Sequence, residues 1–286
     1  MIPRAELTTV VRAGVRQGRT ELRIMATTTS EVLSFVLPTA GFLTAMIFLR
    51  GEHVPGTAFS LGSNSLPSFL GAAIAMTGVL TLSLKLAEER MDGTLLRAKA
   101  LPHGMTGYLI GKIVTVTASG LVGFVVTLVV GMALLPGLSL NTASDWLTLL
   151  WVVALGFVAS LPIGAVIGSI FSEPAWTGLI TLPVFGLIGI SGVFYPITHF
   201  PVWLQDVAQV FPLYWVGLGL RSALLPDNMT AVEIGGSWRH LATFGVLAAW
   251  AALGLLLAPV VLRRMARKES GSNMERRKAR AIARAH

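Results

Sequence analysis

Long apolar runs recur along the chain, and nearly all of its positive charge sits in three stretches between or beside them. Runs of membrane-crossing length need lipid around them, because water leaves so much apolar surface unhidden. Lys and Arg gather at the cytoplasmic ends of such runs, so their placement also orients each crossing. Only 13% of the 286 residues are charged and 53% are hydrophobic, against about 25% charged in soluble domains. The expected fold class is an all-α polytopic membrane protein.

Six spans are predicted, at about 31–49, 66–86, 108–135, 146–171, 175–194 and 239–262. Before them, residues 1–30 form an amphipathic segment. Leu7, Val11, Val15 and Leu22 share one face, while Arg12, Arg16, Arg19 and Arg23 form a separate stripe. That pattern predicts an interfacial helix whose arginines meet anionic headgroups. Between the fifth and sixth spans, Pro196, Pro201, Pro212 and Pro226 interrupt an apolar, aromatic stretch. Only 13 residues lie between the last two of these prolines, too few to cross about 30 Å of hydrocarbon as a helix. Residues 196–238 are therefore expected to be an external, re-entrant hairpin. Residues 263–286 are a basic tail.

The charge distribution selects this topology. Five Lys and Arg lie in the N-terminal segment, five between Lys85 and Lys112, and nine in the tail. The three others, Arg50, Arg221 and Arg239, fall on the opposite side. Six spans with both termini cytoplasmic satisfy the bias, whereas a seventh would place the nine-charge tail outside. The net charge of +8 is thus a topological signal, and no nucleic-acid partner is expected. Arg-rich, Lys-poor usage fits a high-GC bacterium, and the expected location is a bacterial plasma (inner) membrane.

Several function classes lose support. Glu31, Lys85, Lys112, Asp145, Glu173 and Arg239 lie at or near span ends, and no ionisable residue falls in mid-span. Ion-coupled carriers keep such groups at depth, so a secondary transporter is disfavoured, as is a cation channel. The five histidines are scattered and there is no cysteine, which leaves no recognisable catalytic, cofactor or metal site. Gly111-Lys112 is a near miss for a phosphate-binding loop, with Thr106 and Ile113 where a glycine and a hydroxyl belong. Any ATP-driven role needs a separate partner.

The segment between the second and third spans, residues 88–105, carries the strongest motif. Asp92 or Thr94 is placed to cap a short helix, Leu95, Leu96 and Leu101 give it an apolar ridge, and Pro102 ends it. Such a helix at the membrane surface suits a partner's groove, the charges fixing its register. On the fourth span, Ser160, Gly164 and Gly168 recur every four residues, which predicts close helix packing. Hydroxyls at Thr115, Thr117 and Ser119 are expected to bond back to their own helix.

The pattern Glu89-Arg90-Met91-Asp92-Gly93-Thr94-Leu95, followed by Pro102, resembles the signature of type-2 ABC transporter permeases of the multidrug (daunorubicin-resistance) kind. The run Ser191-Gly192-Val193-Phe194-Tyr195-Pro196, then Phe200-Pro201-Val202-Trp203, Phe211-Pro212-Leu213 and Leu220-Arg221, resembles the same family's fifth-span exit and external hairpin. The resemblance implies a permease subunit of an ATP-driven exporter. Glu88, Glu89, Arg90, Gly93, Thr94, Leu95, Leu96 and Pro102 would couple it to the ATPase. ATP and Mg would be bound by that ATPase, expected in two copies, and a second permease protomer would complete the dimer. Phe194, Tyr195, Pro201, Trp203, Pro212, Tyr214 and Trp215 would be either interface anchors or an outer gate. Uncharged span faces suit a small hydrophobic or amphiphilic cargo, drug or lipid-like. A polysaccharide or glycolipid exporter of the same architecture is the alternative, and a membrane-embedded enzyme or scaffold is a third.

Overall fold

The computed structural model describes residues 4–100, 104–171 and 179–268. Among them the regular elements are helices, and no strand is formed. They are α1 (Arg4–Thr27), α2 (Thr29–Phe48), α3 (Leu61–Met91), α4 (Thr94–Lys99), α5 (Gly104–Leu134), α6 (Ala143–Ile170), α7 (Thr181–Ile190), α8 (Val202–Val210), α9 (Pro212–Leu224) and α10 (His240–Lys268). Four helices, α3, α5, α6 and α10, are long and apolar enough to cross a membrane. The shorter apolar helices α2 and α7 occupy the positions of the expected first and fifth spans.

α3 starts at Leu61, five residues before the predicted span. Ser60 accepts the Ser63 amide at 3.4 Å and so begins the helix inside the stretch expected to be a loop. Pro67 is accommodated within it. Within α3, Thr77–Thr81 form a π-helical turn, a bulge that adds one residue to the winding.

Side-chain bonds place the helix ends. Ser63, at the start of α3, donates to the carbonyl of Pro136, just beyond the end of α5, at 2.7 Å. Arg90, at the end of α3, donates to the carbonyl of Ser169, near the end of α6, at 3.0 Å. α3 therefore runs antiparallel to α5 and parallel to α6, and α4 lies at the end opposite Leu61. Packing between these helices uses small residues. A Cβ at Gly78 of α3 would run into Ser160, one at Gly164 into the Gly78 carbonyl, and one at Gly168 into the Ser83 backbone. The Ser83 hydroxyl donates to the Gly164 carbonyl at 2.9 Å. In a lipid surround such close backbone approach supplies the van der Waals contact that the hydrophobic effect does not. Thr115 bonds to the Gly111 carbonyl at 2.9 Å and Ser119 to that of Val116 at 3.0 Å, each within its own helix.

α1 packs along the first turns of α5. Gly14 is close to Gly107 and Gly111, and Gly18 to Gly111 and Val114, so the two helices run in the same direction. Arg12, Arg16, Arg19 and Arg23 remain exposed. Large apolar side chains also stay open on α5 (Val122, Val125, Val129) and α10 (Leu241, Phe244, Leu256). Patches of that extent mark contact with lipid or another protein.

The stretch expected to be the external hairpin contains α8 and α9. Residues 212–221 of α9 are all buried. Gly217 lies against Gly71 of α3, and Gly219 against Val152 of α6 and Thr243 of α10. The Leu224 carbonyl accepts from the Ser139 amide at 3.2 Å, which sets the end of α9 beside the α5–α6 loop. The Val210 carbonyl, between α8 and α9, accepts from Trp250 Nε1 at 2.8 Å. Trp250 is ten residues into α10, about 15 Å along its axis. The α8–α9 junction thus reaches well down the bundle before α9 climbs back.

Candidate ATPase-docking site

Residues 88–105 do not form a single helix. Glu88, Glu89 and Arg90 belong to the last turn of α3, which stops at Met91. The chain then turns at Gly93, whose φ of 76° is left-handed, and α4 follows as Thr94–Lys99. An L-residue with a Cβ resists that conformation, so glycine permits the elbow. The expected side-chain cap from Asp92 or Thr94 is not formed, because the left-handed elbow replaces it. The Gly93 carbonyl accepts the Arg97 amide at 3.1 Å, and the Arg97 guanidinium donates back to the Asp92 carbonyl at 3.3 Å. Pro102 lies outside the described residues, as do Glu173 and the tail beyond Lys268.

Two sets of side chains leave this elbow. Glu89, Arg90 and Leu95 point into the protein. Leu95 is fully buried and Arg90 only 5% exposed. Arg90 donates to the carbonyls of Gly168 and Ser169, among the last four of α6. Those carbonyls have no partner within their own helix and carry the negative end of its dipole, so a guanidinium satisfies both needs. Glu88, Asp92 and Arg97 are exposed around the elbow, with Leu96 half-buried.

Glu89 belongs to a part-buried ionic cluster. Lys112 Nζ on α5 lies 2.5 Å from Glu89 and 2.9 Å from Glu21 of α1, with its side chain only 4% exposed. The Tyr108 hydroxyl also donates to Glu89. One lysine thus ties three elements together: the N-terminal helix, the turn before the elbow and the third predicted span. The sequence singled out Glu89 but gave no sign of Glu21, which sits among arginines, nor of Gly14 and Gly18, which bring α1 close enough for it to reach. No group of His, Asp and Glu that could hold a metal ion occurs among the described residues. These bonds tie the elbow to α1, α5 and α6.

The aromatic residues are not gathered in one place. Tyr214 and Trp215 are buried in the bundle, their rings 5.2 Å apart, and Trp215 donates to the Gln209 carbonyl at 2.7 Å. Phe194 and Tyr195 are each 49% exposed beyond α7, and Trp203 is 64% exposed on α8. Among the described residues no ring contact joins these groups. Pro201 and Pro212 precede and open α8 and α9 respectively, Pro212 at the first turn where its missing N–H costs nothing. Beside Tyr214, Arg221 forms an ion pair with Glu233 at 2.5 Å and donates to the Ser68 hydroxyl of α3 at 2.6 Å. Both ions are buried, at 2% and 7% exposed. This network is absent from the sequence-based expectation, which placed Arg221 merely on the outer side.

A family model described as ABC-2 family transporter protein matches residues 52–253, well over half of the chain. The chain belongs to this family. It is therefore an ABC-type transport permease, a multi-pass membrane protein whose family partners a separate ABC ATPase subunit. In this ABC-2 permease the match covers α3, the elbow, α4 and the following helices as far as Leu253, while α1 and α2 precede it. No curated protein matches the chain.

Proposed function

We propose that the chain is the permease half of an ATP-driven exporter, of the multidrug kind, that moves a hydrophobic or amphiphilic drug or lipid-like molecule out of the cytoplasm or inner leaflet. It sits in a bacterial plasma membrane with both termini cytoplasmic, with α2 and α7 serving as the first and fifth of six spans. α4 docks in a groove of the ATPase. Two ATPase subunits serve a permease dimer, and ATP and Mg are held by the ATPases. α8 and α9 form a re-entrant hairpin on the outer side, a reading supported by the depth at which Val210 meets Trp250.

The observation that carries this proposal is the anchoring of the α3–α4 elbow. Leu95 and Arg90 fix it to the bundle, and Lys112 fixes it to α1 and α5 through Glu89. A force applied to α4 is transmitted to helices that cross the membrane, because packed interiors move as blocks rather than deform. Exposed charges at Glu88, Asp92 and Arg97 are placed to set register on a partner.

The test is co-purification with a separate ABC ATPase subunit co-expressed with this chain, together with stimulated ATP turnover. Glu88→Lys and Arg97→Glu alter exposed charge without touching the buried anchors. Each is expected to weaken the complex and the stimulation at least tenfold while thermal stability is kept. An intact complex with full stimulation in both variants would refute docking at this elbow.

A further inference from the structure

From Arg12 onward, α1 carries a row of exposed arginines: Arg12, Arg16, Arg19 and Arg23. At about 100° per residue they fall within roughly 60° of one another. They stand roughly 150° round from Gly14 and Gly18, the face that meets α5. None of the four guanidiniums meets a hydrogen-bond or ion-pair partner among the described residues. Glu21, an acid of the same stretch, is turned to the other side and reaches Lys112 of α5 at 2.9 Å. The pairing that ties α1 to the bundle thus leaves its outward row without a neutralising carboxylate.

Two neighbours set the level of this row. The apolar crossing of α5 begins at Gly107, and Gly14 and Gly18 lie against Gly107, Gly111 and Val114. The row therefore stands beside the start of a crossing helix. α2 follows α1 directly, and its Val32, Leu33, Val36 and Leu37 are exposed apolar side chains. Arg23 precedes Val32 by about 14 Å of helix, so the row ends near the edge of the hydrocarbon. Arginines at that edge reach sideways to the headgroups. There the planar guanidinium matches a phosphate diester with two parallel hydrogen bonds. A zwitterionic headgroup carries its own ammonium beside that phosphate, whereas an anionic one does not. Each Arg beside an anionic bilayer surface favours association about fivefold. Continuity with the exposed apolar face of α2 favours lipid over an acidic protein surface as the occupant.

We infer that the arginine row of α1 is a binding surface for anionic phospholipid, and that lipid bound there steadies the α3–α4 elbow. Glu21 on the same helix holds Lys112, and Lys112 holds Glu89 in the last turn of α3. Headgroups that fix α1 thereby fix the turn from which α4 departs. The surface stands on its own geometry; only its effect on ATP turnover rests on the exporter reading.

The experiment places the full chain in phosphatidylcholine vesicles and adds spin-labelled phosphatidylglycerol or spin-labelled phosphatidylcholine in turn. Electron paramagnetic resonance counts the label immobilised by the protein. Phosphatidylglycerol is expected to be preferred about fivefold or more at low salt. Most of that preference should vanish at about 1 M salt, where screening acts within about 3 Å. Arg19→Gln/Arg23→Gln should bring the preference below about twofold. Arg50→Gln/Arg264→Gln, which removes the same charge from exposed sites off α1, should keep it. An undiminished preference in the first double variant, or an equal loss in the second, would overturn the surface. If the first variant keeps its lipid preference and loses ATPase co-purification, the row belongs to a protein partner and the assignment falls. With the ATPase bound, stimulated turnover should rise with phosphatidylglycerol content in the unmodified chain and stay nearly flat in Arg19→Gln/Arg23→Gln. Turnover indifferent to phosphatidylglycerol in an unmodified chain that still prefers it would refute the link to the elbow. Absence of an ATPase complex in every lipid counts against the exporter reading, while the spin-label measurement still decides the surface.

Discussion

Lys112 Nζ lies 2.5 Å from the Glu89 carboxylate, joining the first turns of α5 to the last turn of α3 before the α3–α4 elbow. Glu21 completes the cluster at 2.9 Å from the same nitrogen. Removing the cation takes the ion-pair partner from Glu89, whose carboxylate is largely withdrawn from solvent. Lys112→Met is expected to cost about 3 kcal/mol or more, since a broken buried pair leaves uncompensated charge. Glu89→Gln keeps the Lys112–Glu21 bond and should cost about 1 kcal/mol. Thermal unfolding of the two variants in detergent measures the difference. Equal losses would show that Lys112 does not hold the cluster together.

Gly93→Ala places a Cβ in a left-handed backbone conformation, a strain of about 1–2 kcal/mol. The elbow relieves it by turning α4 away from the direction set by Leu95. Stimulated ATP turnover should therefore fall more steeply than thermal stability. Gly93→Asn, which tolerates this region better, should retain more of both. A Gly93→Ala chain with full ATPase stimulation would show that the direction of α4 is unimportant.

The Arg221–Glu233 pair makes a prediction about the other end of the bundle. Arg221→Met alone leaves Glu233 buried without its counter-ion and should lower stability by about 3–5 kcal/mol. The double variant Arg221→Met/Glu233→Gln removes the orphaned charge and should recover most of that loss. Denaturation of the single and double variants closes the cycle. Additive losses would mean that the two residues stabilise the protein independently.

Topology is open to direct measurement because the chain has no cysteine. Ser237→Cys, exposed between α9 and α10, should react in intact cells with a membrane-impermeant maleimide. Arg16→Cys, exposed on α1, should react only after permeabilisation. The reverse labelling would invert the proposed orientation.

Hydropathy alone made the long helices legible, since a run of apolar residues identifies a crossing whatever its neighbours are. The spacing of Ser160, Gly164 and Gly168 was legible too, because close approach needs small residues at one recurring position. The direction of individual side chains was not. Arg90 and Arg97 are equally charged in the sequence. One is drawn inward by the free carbonyls of α6, a helix more than fifty residues ahead in the chain, and the other stays exposed. Tyr214 and Trp215 look like surface aromatics in a proline-broken stretch, yet α9 is buried because α3, α6 and α10 close around its glycines. The Arg221–Glu233 pair was hidden for the same reason. Burial is a property of what packs against a segment, and a proline-rich segment of mixed polarity carries no periodic sign of it.

The π-helical turn at Thr77–Thr81 has a consequence for how α3 addresses its neighbours. In a regular α-helix, at about 100° per residue, Ser83 and Arg90 would stand roughly 140° and 120° round from Gly78. The extra residue takes about 100° from each, which leaves them close to the Gly78 face that meets α6. Deleting one residue there would rewind the lower half like a misaligned key, swinging Arg90 off the end of α6 and the elbow with it. The irregular turn is thus what keys the upper half of the helix to the end that carries α4.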